Sequence, residues 1–377
     1  MEERKSGYSQ KVGDFFSAGV DSFGIFIIVT ITFMQKIIFL FTFYLLVELV
    51  SCKPVTRKSS QEEKWDQLPE VTNINSFKRT EFVPTLESSI SDSNNIIYAS
   101  ALLYAWDKVK QKINSQILLS DSNSFDFKKL NQSASFQNTL KEDEYSAEAQ
   151  VSDDMIIARA FFHKSLPFPS KLQKINTPII FDKNKVKAFG METFDEAAIE
   201  FSEILYYKDD DNFIFRLNPK DSSHEIILIK GIRNIVSFSD AIERIDSLIK
   251  SGNKEKTNSK ESWKYSINET DVFAIPLIQF NIEKYYKTLE GQPFEVNNKK
   301  LYIAAAYQRT GFILNENGAI VESEAIMFAD TSAIEPVKTH PKRMIFDKPF
   351  FIIVKRANSD NPYFMMKVEN SELLIKE

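Results

Sequence analysis

The stretch Gln308-Arg309-Thr310-Gly311-Phe312-Ile313-Leu314-Asn315-Glu316-Asn317-Gly318 runs without a break into Ala319-Ile320-Val321-Glu322-Ser323-Glu324-Ala325-Ile326-Met327-Phe328-Ala329, and together they decide how the chain is read. The first half completes a strand-like run over Leu301–Leu314. Beyond Gly318 the residues alternate. Ala319, Val321, Ser323, Ala325, Met327 and Ala329 form one set, and Ile320, Glu322, Glu324, Ile326 and Phe328 the other. Side chains of a strand point to opposite faces in turn, so the first set could line an interior while both glutamates face water. An unpaired carboxylate would cost several kcal/mol to bury, which gives the shared parity of the glutamates its meaning. An edge strand with one wet face would alternate in the same way, so the pattern fits both a segment that enters a sheet and a strand that never moves.

Working outward, Val272–Phe280, Phe350–Lys355 and Tyr363–Val368 read as further strands, as do Ile156–Phe162, Ile204–Tyr207, Phe213–Leu217 and Glu225–Lys230 upstream. Asp209-Asp210-Asp211 lacks the spaced oxygen ligands of a calcium loop and reads as a hairpin turn. The spacing of Ile97, Leu102, Leu103, Trp106 and Val109 predicts one core helix over Asn95–Ile113. A second is expected over Ser237–Lys250, with Ile242, Ile245, Leu248 and Ile249 inward. The polar stretch Asp121–Tyr145 is expected to be loop or short helix. Strands at both ends of a chain whose helices do not alternate with them predict an α+β fold with mixed or antiparallel sheets.

With 43% hydrophobic and 26% charged residues, the chain of 377 can bury a sizeable core. Its net charge of −5, with Lys and Arg scattered, sets nucleic-acid binding aside. The single cysteine, Cys52, excludes an intrachain disulfide and a zinc site built on Cys pairs. The histidines His163, His224 and His340 lie far apart, and His224-Glu225 lacks the second histidine of a metalloprotease helix; each is expected to be a surface or packed residue. No G-x-S-x-G, glycine-rich phosphate loop or paired metal motif occurs, so no catalytic residue, metal or cofactor is assigned and an enzyme is not expected.

From Phe23 to Val50 the sequence is almost continuously apolar and of membrane length. It reads either as a transmembrane anchor or as a signal peptide starting at Met34, with Met34-Gln35-Lys36 as the basic region and Ile37–Val47 as the apolar one. The second reading ends in Leu49-Val50-Ser51-Cys52, which resembles the lipobox of bacterial lipoproteins, and Cys52 is then the lipid-attachment residue. Residues 1–33 would be a mis-assigned start or a cytoplasmic extension, 34–51 the signal peptide, 52–71 a lipid-anchored flexible tether, and 72–377 the folded domain. Lys53, with no Asp at that position, implies by resemblance to sorting rules an exported protein anchored at the outer membrane, on its periplasmic or cell-surface side.

The body of the chain resembles the serpins, most closely in its last third. Ile275-Pro276-Leu277-Ile278-Gln279-Phe280 is similar to the family's buried strand before its late helix, and Leu301-Tyr302-Ile303-Ala304 leads into the opening stretch, which resembles the fifth central strand with its Glu-Gly hinge. Phe346-Asp347-Lys348-Pro349-Phe350-Phe351-Ile352-Ile353 resembles the near-terminal signature, and Tyr363-Phe364-Met365-Met366-Lys367-Val368 the last strand. Fainter likenesses are Asn95–Ser100 to the first helix, Ala160-Phe161-Phe162-His163 to the third central strand, and Leu205-Tyr206-Tyr207 onward to the second sheet. Leu166 stands where the family has tryptophan and Gln308 where it usually has histidine. The stretch between the first helix and the third central strand is roughly half the family's, which implies a reduced set of helices around a mixed central sheet.

The resemblance implies a bait loop near 319–341: a protease cuts it, and the freed segment enters the central sheet. Hinge residues would be Glu316, Gly318, Ala319, Val321, Ser323 and Ala325, and the cut would fall among Ala329, Asp330, Thr331, Ser332, Ala333, Ile334 and Glu335. The expected function is a membrane-tethered, monomeric inhibitor of extracytoplasmic serine or cysteine proteases. The alternative is a non-inhibitory surface lipoprotein that uses the reduced scaffold to bind an unidentified surface partner.

Overall fold

The computed structural model of the chain describes residues 67–151, 156–258, 260–321 and 341–377. They lie within one compact unit, residues 64–377. In chain order come β1 (Thr72–Asn73), β2 (Thr80–Phe82), β3 (Asn95–Ala99), α1 (Ala101–Ile113), α2 (Phe125–Gln132), β4 (Tyr145–Val151), β5 (Ile156–Phe162), β6 (Lys164–Pro167), β7 (Gln173–Phe181) and β8 (Asn184–Met191). Then follow α3 (Glu196–Glu200), β9 (Ser202–Asp209), β10 (Asn212–Leu217), β11 (His224–Lys230), α4 (Phe238–Lys256), β12 (Val272–Pro276) and β13 (Ile278–Tyr285). The chain ends through β14 (Pro293–Val296), β15 (Lys299–Tyr302), β16 (Tyr307–Asn315), β17 (Gly318–Val321), β18 (Arg343–Ile345), β19 (Phe350–Arg356) and β20 (Phe364–Val368). The class is the α+β one expected, with mixed sheets and few helices.

A seven-stranded sheet in the order β2-β3-β20-β19-β11-β10-β9 forms one wall of the core. Its central strands β3, β20 and β11 are buried along their whole length. That explains one departure from expectation: Asn95–Ala99 is a strand, and the helix begins only at Ala101. A short apolar run buried on both faces has no period to separate strand from helix. A second wall is five-stranded, β1-β13-β16-β17-β6, and a four-stranded sheet β18-β12-β8-β7 completes the body. Phe312 of β16 stacks on Phe364 of β20 at 4.4 Å and thereby joins the two walls.

Two runs that read as single strands are divided. Val272–Phe280 breaks at Leu277: Pro276 still pairs with Ala188 and the Leu277 N–H still donates to the Lys187 carbonyl of β8, whereas Ile278 onward pairs with β16. The chain thus leaves the four-stranded sheet and enters the five-stranded one. Leu301–Leu314 is split between β15 and β16; the β14–β15 hairpin turns at Asn297-Asn298, both at positive φ, as a tight hairpin turn requires. Helix α4 extends to Lys256, beyond the expected Lys250. Its Gly252 lets it lie directly on β9, since a Cβ there would stand 2.1 Å from the Leu205 carbonyl oxygen. The stretch expected to be loop or short helix contains α2, capped by Ser124, and ends at the start of β4. Asp209–Asp211 makes the β9–β10 hairpin turn.

Residues 67–71, expected to belong to the tether, are instead held on the five-stranded sheet. Asn281 Nδ2 donates to the Pro69 carbonyl at 2.7 Å, and Leu68 fills the space that a Cβ on Gly311 would need.

Candidate functional site

The candidate site is the junction where β17 wedges between β16 and β6. Gly318, Ala319, Ile320 and Val321 pair antiparallel with Pro167, Leu166, Ser165 and Lys164 on one side, while Ile320, Ala319 and Gly318 pair with Ile313, Leu314 and Asn315 on the other. All four residues are buried. Ala319 and Val321 face the main core, the parity read from the alternation, and Ile320 lies on the opposite face beside Ile313. Gly318 is required by geometry: its φ is +149°, and a Cβ would fall 2.4 Å from the Leu166 carbonyl oxygen.

The turn into β17 is fixed from the β6 side. Phe168 and Leu172 donate their N–H groups to the carbonyls of Asn317 and Glu316 at 2.8 Å each. The Glu316 carboxylate, 6% exposed, receives Lys174 at 3.2 Å and Lys171 at 3.7 Å from the surface. Leu166, in place of the tryptophan, is buried against this junction. Gln308, in place of the histidine, is buried too: it accepts from Tyr286 Oη at 2.9 Å and donates to the Ala99 carbonyl at 3.3 Å and Thr310 Oγ1 at 3.1 Å.

Beyond Val321 the two flanking strands are not paired with each other among the described residues. Chain β6 is the continuation of β5 after His163, and β5 pairs only with β4. The lower part of β16, Tyr307–Phe312, pairs only with β13. The interval between β5 and β16 below the wedge, here called the slot, therefore holds no paired strand among the described residues. The core-facing side chains of its β4–β5 wall are Ala147, Ala149, Ala158 and Ala160, with the paired Tyr145 and Phe162 at the top.

A polar cluster that no sequence motif announced lies beside the wedge. Glu144 Oε1 accepts from Lys164 Nζ at 2.5 Å and from His224 Nε2 at 3.0 Å, and Glu144 Oε2 accepts from Arg356 Nη1 at 2.7 Å. Tyr363 Oη donates to His224 Nδ1 at 3.2 Å. This pattern suits a neutral ring with its proton on Nε2. Burial, then the Lys164 ammonium, lowers the His224 pKa against the pull of Asp221 and Glu144. Burial pushes the Glu144 carboxyl up, but bonds from the Lys141 N–H and Lys164 outweigh it and bring its pKa to about 2. Burial, with Lys164 adding to it, brings His163 to about 2 as well. Glu144 and Arg356 are 212 residues apart, so no local pattern could have shown the cluster.

Of the hinge residues expected from sequence, Glu316, Gly318, Ala319 and Val321 meet at this junction. Ser323, Ala325 and the bait residues Ala329 to Glu335 lie outside the described residues, as do Cys52 and the signal region before it. Among the described residues no group of His, Cys, Asp or Glu is placed to hold a metal ion, and no helix is long and apolar enough to cross a membrane.

No family model and no curated protein matches the chain. The solved structures similar to it are serpins. A highly specific serpin of the insect Tenebrio molitor, Serpin48, is 16% identical, with 56% of this chain and 55% of that one covered and a TM-score of 0.31. Native protease nexin-1 with heparin is 12% identical, covering 57% and 56%, TM-score 0.34. A thermophilic serpin, tengpin, in its native state is 13% identical, covering 56% and 54%, TM-score 0.30. The chain spans a little over half the length of each.

Proposed function

We propose that the protein is a tethered, serpin-like protease inhibitor whose bait loop, once cut, lengthens β17 down the slot between β5 and β16. The observation that carries this reading is the wedge itself: Gly318–Val321, within the expected hinge, are seated between β6 and β16, above a length of strand edge on either side that is unpaired among the described residues. Continuing the same register would set Ser323 beside Thr310 and Phe162, and Ala325 beside Gln308 and Ala160. Ala325 would then meet the small Ala160, and Ser323 would lie against the Phe162 ring. Glu322 and Glu324 would fall on the other face, Glu324 next to Arg309.

Cutting frees the N-terminal side of the loop from Pro341, where the chain re-enters the described fold. Each added pair of ladder bonds and each buried side chain then lowers the free energy without a covalent restraint on the loop. In this reading Cys52 carries lipid, the domain works outside the cytoplasm, and its partner is a serine or cysteine protease that cuts between Ala329 and Glu335.

The test is the melting temperature of the full chain in detergent before and after limited cutting of the 322–340 segment by a panel of proteases, with the same samples run for an SDS-resistant adduct. A rise of more than about 10 °C with an adduct is expected; by the usual scaling that corresponds to several kcal/mol for a domain this size. Cutting with neither rise nor adduct sinks the proposal and leaves β17 as a fixed strand of a binding scaffold. Changing Cys52→Ser is expected to move the protein from the membrane to the soluble fraction; persistence in the membrane would point to the apolar run as a true anchor.

A further inference from the structure

The β4–β5 pair is a wing: among the described residues it hydrogen-bonds to no larger sheet. Yet the slot is bounded by it. Strands in a sheet are about 4.8 Å apart, so with β17 between them β6 and β16 stand roughly 10 Å apart. As β5 runs into β6 through the single residue His163, the top of the slot has the width of one strand. Something must keep the wing at that distance.

The polar cluster is placed to do so. Glu144 immediately precedes β4, and Lys164 opens β6 just past the end of β5, so their 2.5 Å contact closes the wing at its upper end. The same carboxylate reaches His224 at the start of β11 and Arg356 at the end of β19, two neighbouring strands of the seven-stranded sheet. Asp221 Oδ2 stands 3.6 Å from the same His224 Nε2. The side chain of Glu144 is 12% exposed, and those of Lys164 and His224 are 9% and 0% exposed, so water competes little for these bonds.

We infer that Glu144 is a positioning residue: by tying the β4–β5 wing to β11 and β19 it holds the slot open to the width of one strand. Its value to inhibition rests on the proposed loop insertion, but the tie itself does not. Apolar contacts also hold the wing, through Tyr104 stacked on Tyr145 at 4.0 Å and Phe162 against Tyr363 at 5.6 Å. These fasten it to the core without a fixed direction, whereas the bonds from His224 and Arg356 to the one Glu144 carboxylate set its place on the seven-stranded sheet.

Amide hydrogen exchange, read by region on the full chain, tests this with Glu144→Leu and with the double variant Glu144→Leu/Lys164→Met. Exchange across residues 145–151 and 156–162 is expected to be at least tenfold faster in both, with 224–230 and 350–356 unchanged. The double variant separates the tie from a simple charge effect. Were the cost only that of an unpaired buried lysine, removing Lys164 would restore protection to the wing, and the inference falls. It falls equally if exchange accelerates uniformly in both regions. Should Glu144→Leu fail to fold, Glu144→Gln, which keeps one acceptor oxygen, must still loosen the wing selectively. Cutting the loop in each protein gives the second readout: the gain in melting temperature seen in the wild type is expected to shrink in the variants. No gain in the wild type itself overturns insertion, and the exchange pattern then decides the tie alone.

Discussion

The seven-stranded sheet and the five-stranded sheet are made of similar apolar residues, yet their ladders differ in length. In the seven-stranded sheet β11 pairs with β19 over all seven residues from His224 to Lys230, and β19 with β20 over five. Side chains such as Leu228, Ile352 and Met366 are fully enclosed. In the five-stranded sheet β17 and β6 are four residues each, and below them β5 and the lower part of β16 are not paired with each other among the described residues. A sheet whose ladders are all closed has nothing to gain by rearranging. Strand edges that are unpaired among the described residues can gain hydrogen bonds and burial from a strand that enters, which is what the proposed insertion requires of this wall, while the closed ladders of the other supply stability.

The largest expected effect would break the stable side of that comparison. Leu228→Ala removes a wholly buried side chain from β11 and is expected to cost about 2–5 kcal/mol. Calorimetry should show the melting temperature lowered alike in intact and loop-cut protein. A loss confined to the cut form would mean that the seven-stranded sheet also rearranges.

A smaller effect, of about 1–3 kcal/mol, is expected at the wedge from Gly318→Ala, because L-residues rarely adopt this φ and the new methyl meets the Leu166 carbonyl. Here the loss should be local, seen as faster amide exchange at 164–167 and 318–321 with β11 and β19 unaffected. Unchanged protection there would show that the wedge tolerates a side chain and is looser than its pairing suggests.

The pH dependence sharpens the comparison further. His224 has a folded pKa below its unfolded value near 6.5. Unfolded chains therefore bind a proton that the folded protein does not, and stability declines as pH falls below about 6.5, by at most about 1.4 kcal/mol per pH unit per histidine. His163, at about 2 in the fold, acts in the same direction. Glu144 follows at lower pH: the stability it supplies is present above its unfolded value of 4.5 and is lost as pH falls toward 2. In His224→Gln the decline between pH 6.5 and 5 should be shallower, measured as melting temperature against pH. An unchanged slope would assign it to His163 alone.

Much of this fold was legible because strand signals are local. The alternation after Gly318 gave the parity by which Ala319 and Val321 face the core, and the runs at Phe213–Leu217, Glu225–Lys230 and Phe350–Lys355 all lie within observed strands. Other strands were hidden for physical reasons. Tyr145–Val151 and Gln173–Phe181 carry small, polar or Pro-interrupted residues on partly wet strands, so their apolar period is weak. Asn95–Ala99, buried on both faces, has none at all.

The sequence by itself determined the α+β class and the parity by which Ala319 and Val321 face the core after Gly318, because each depends on residue type and near neighbours. Only the tertiary structure decided that Gly318–Val321 is a strand wedged between β6 and β16, that β5 and the lower part of β16 are not paired with each other among the described residues, and that Glu144, Lys164, His224 and Arg356 meet. Those facts depend on which strands lie side by side, and contacts between residues hundreds of positions apart leave no period or spacing along a single chain.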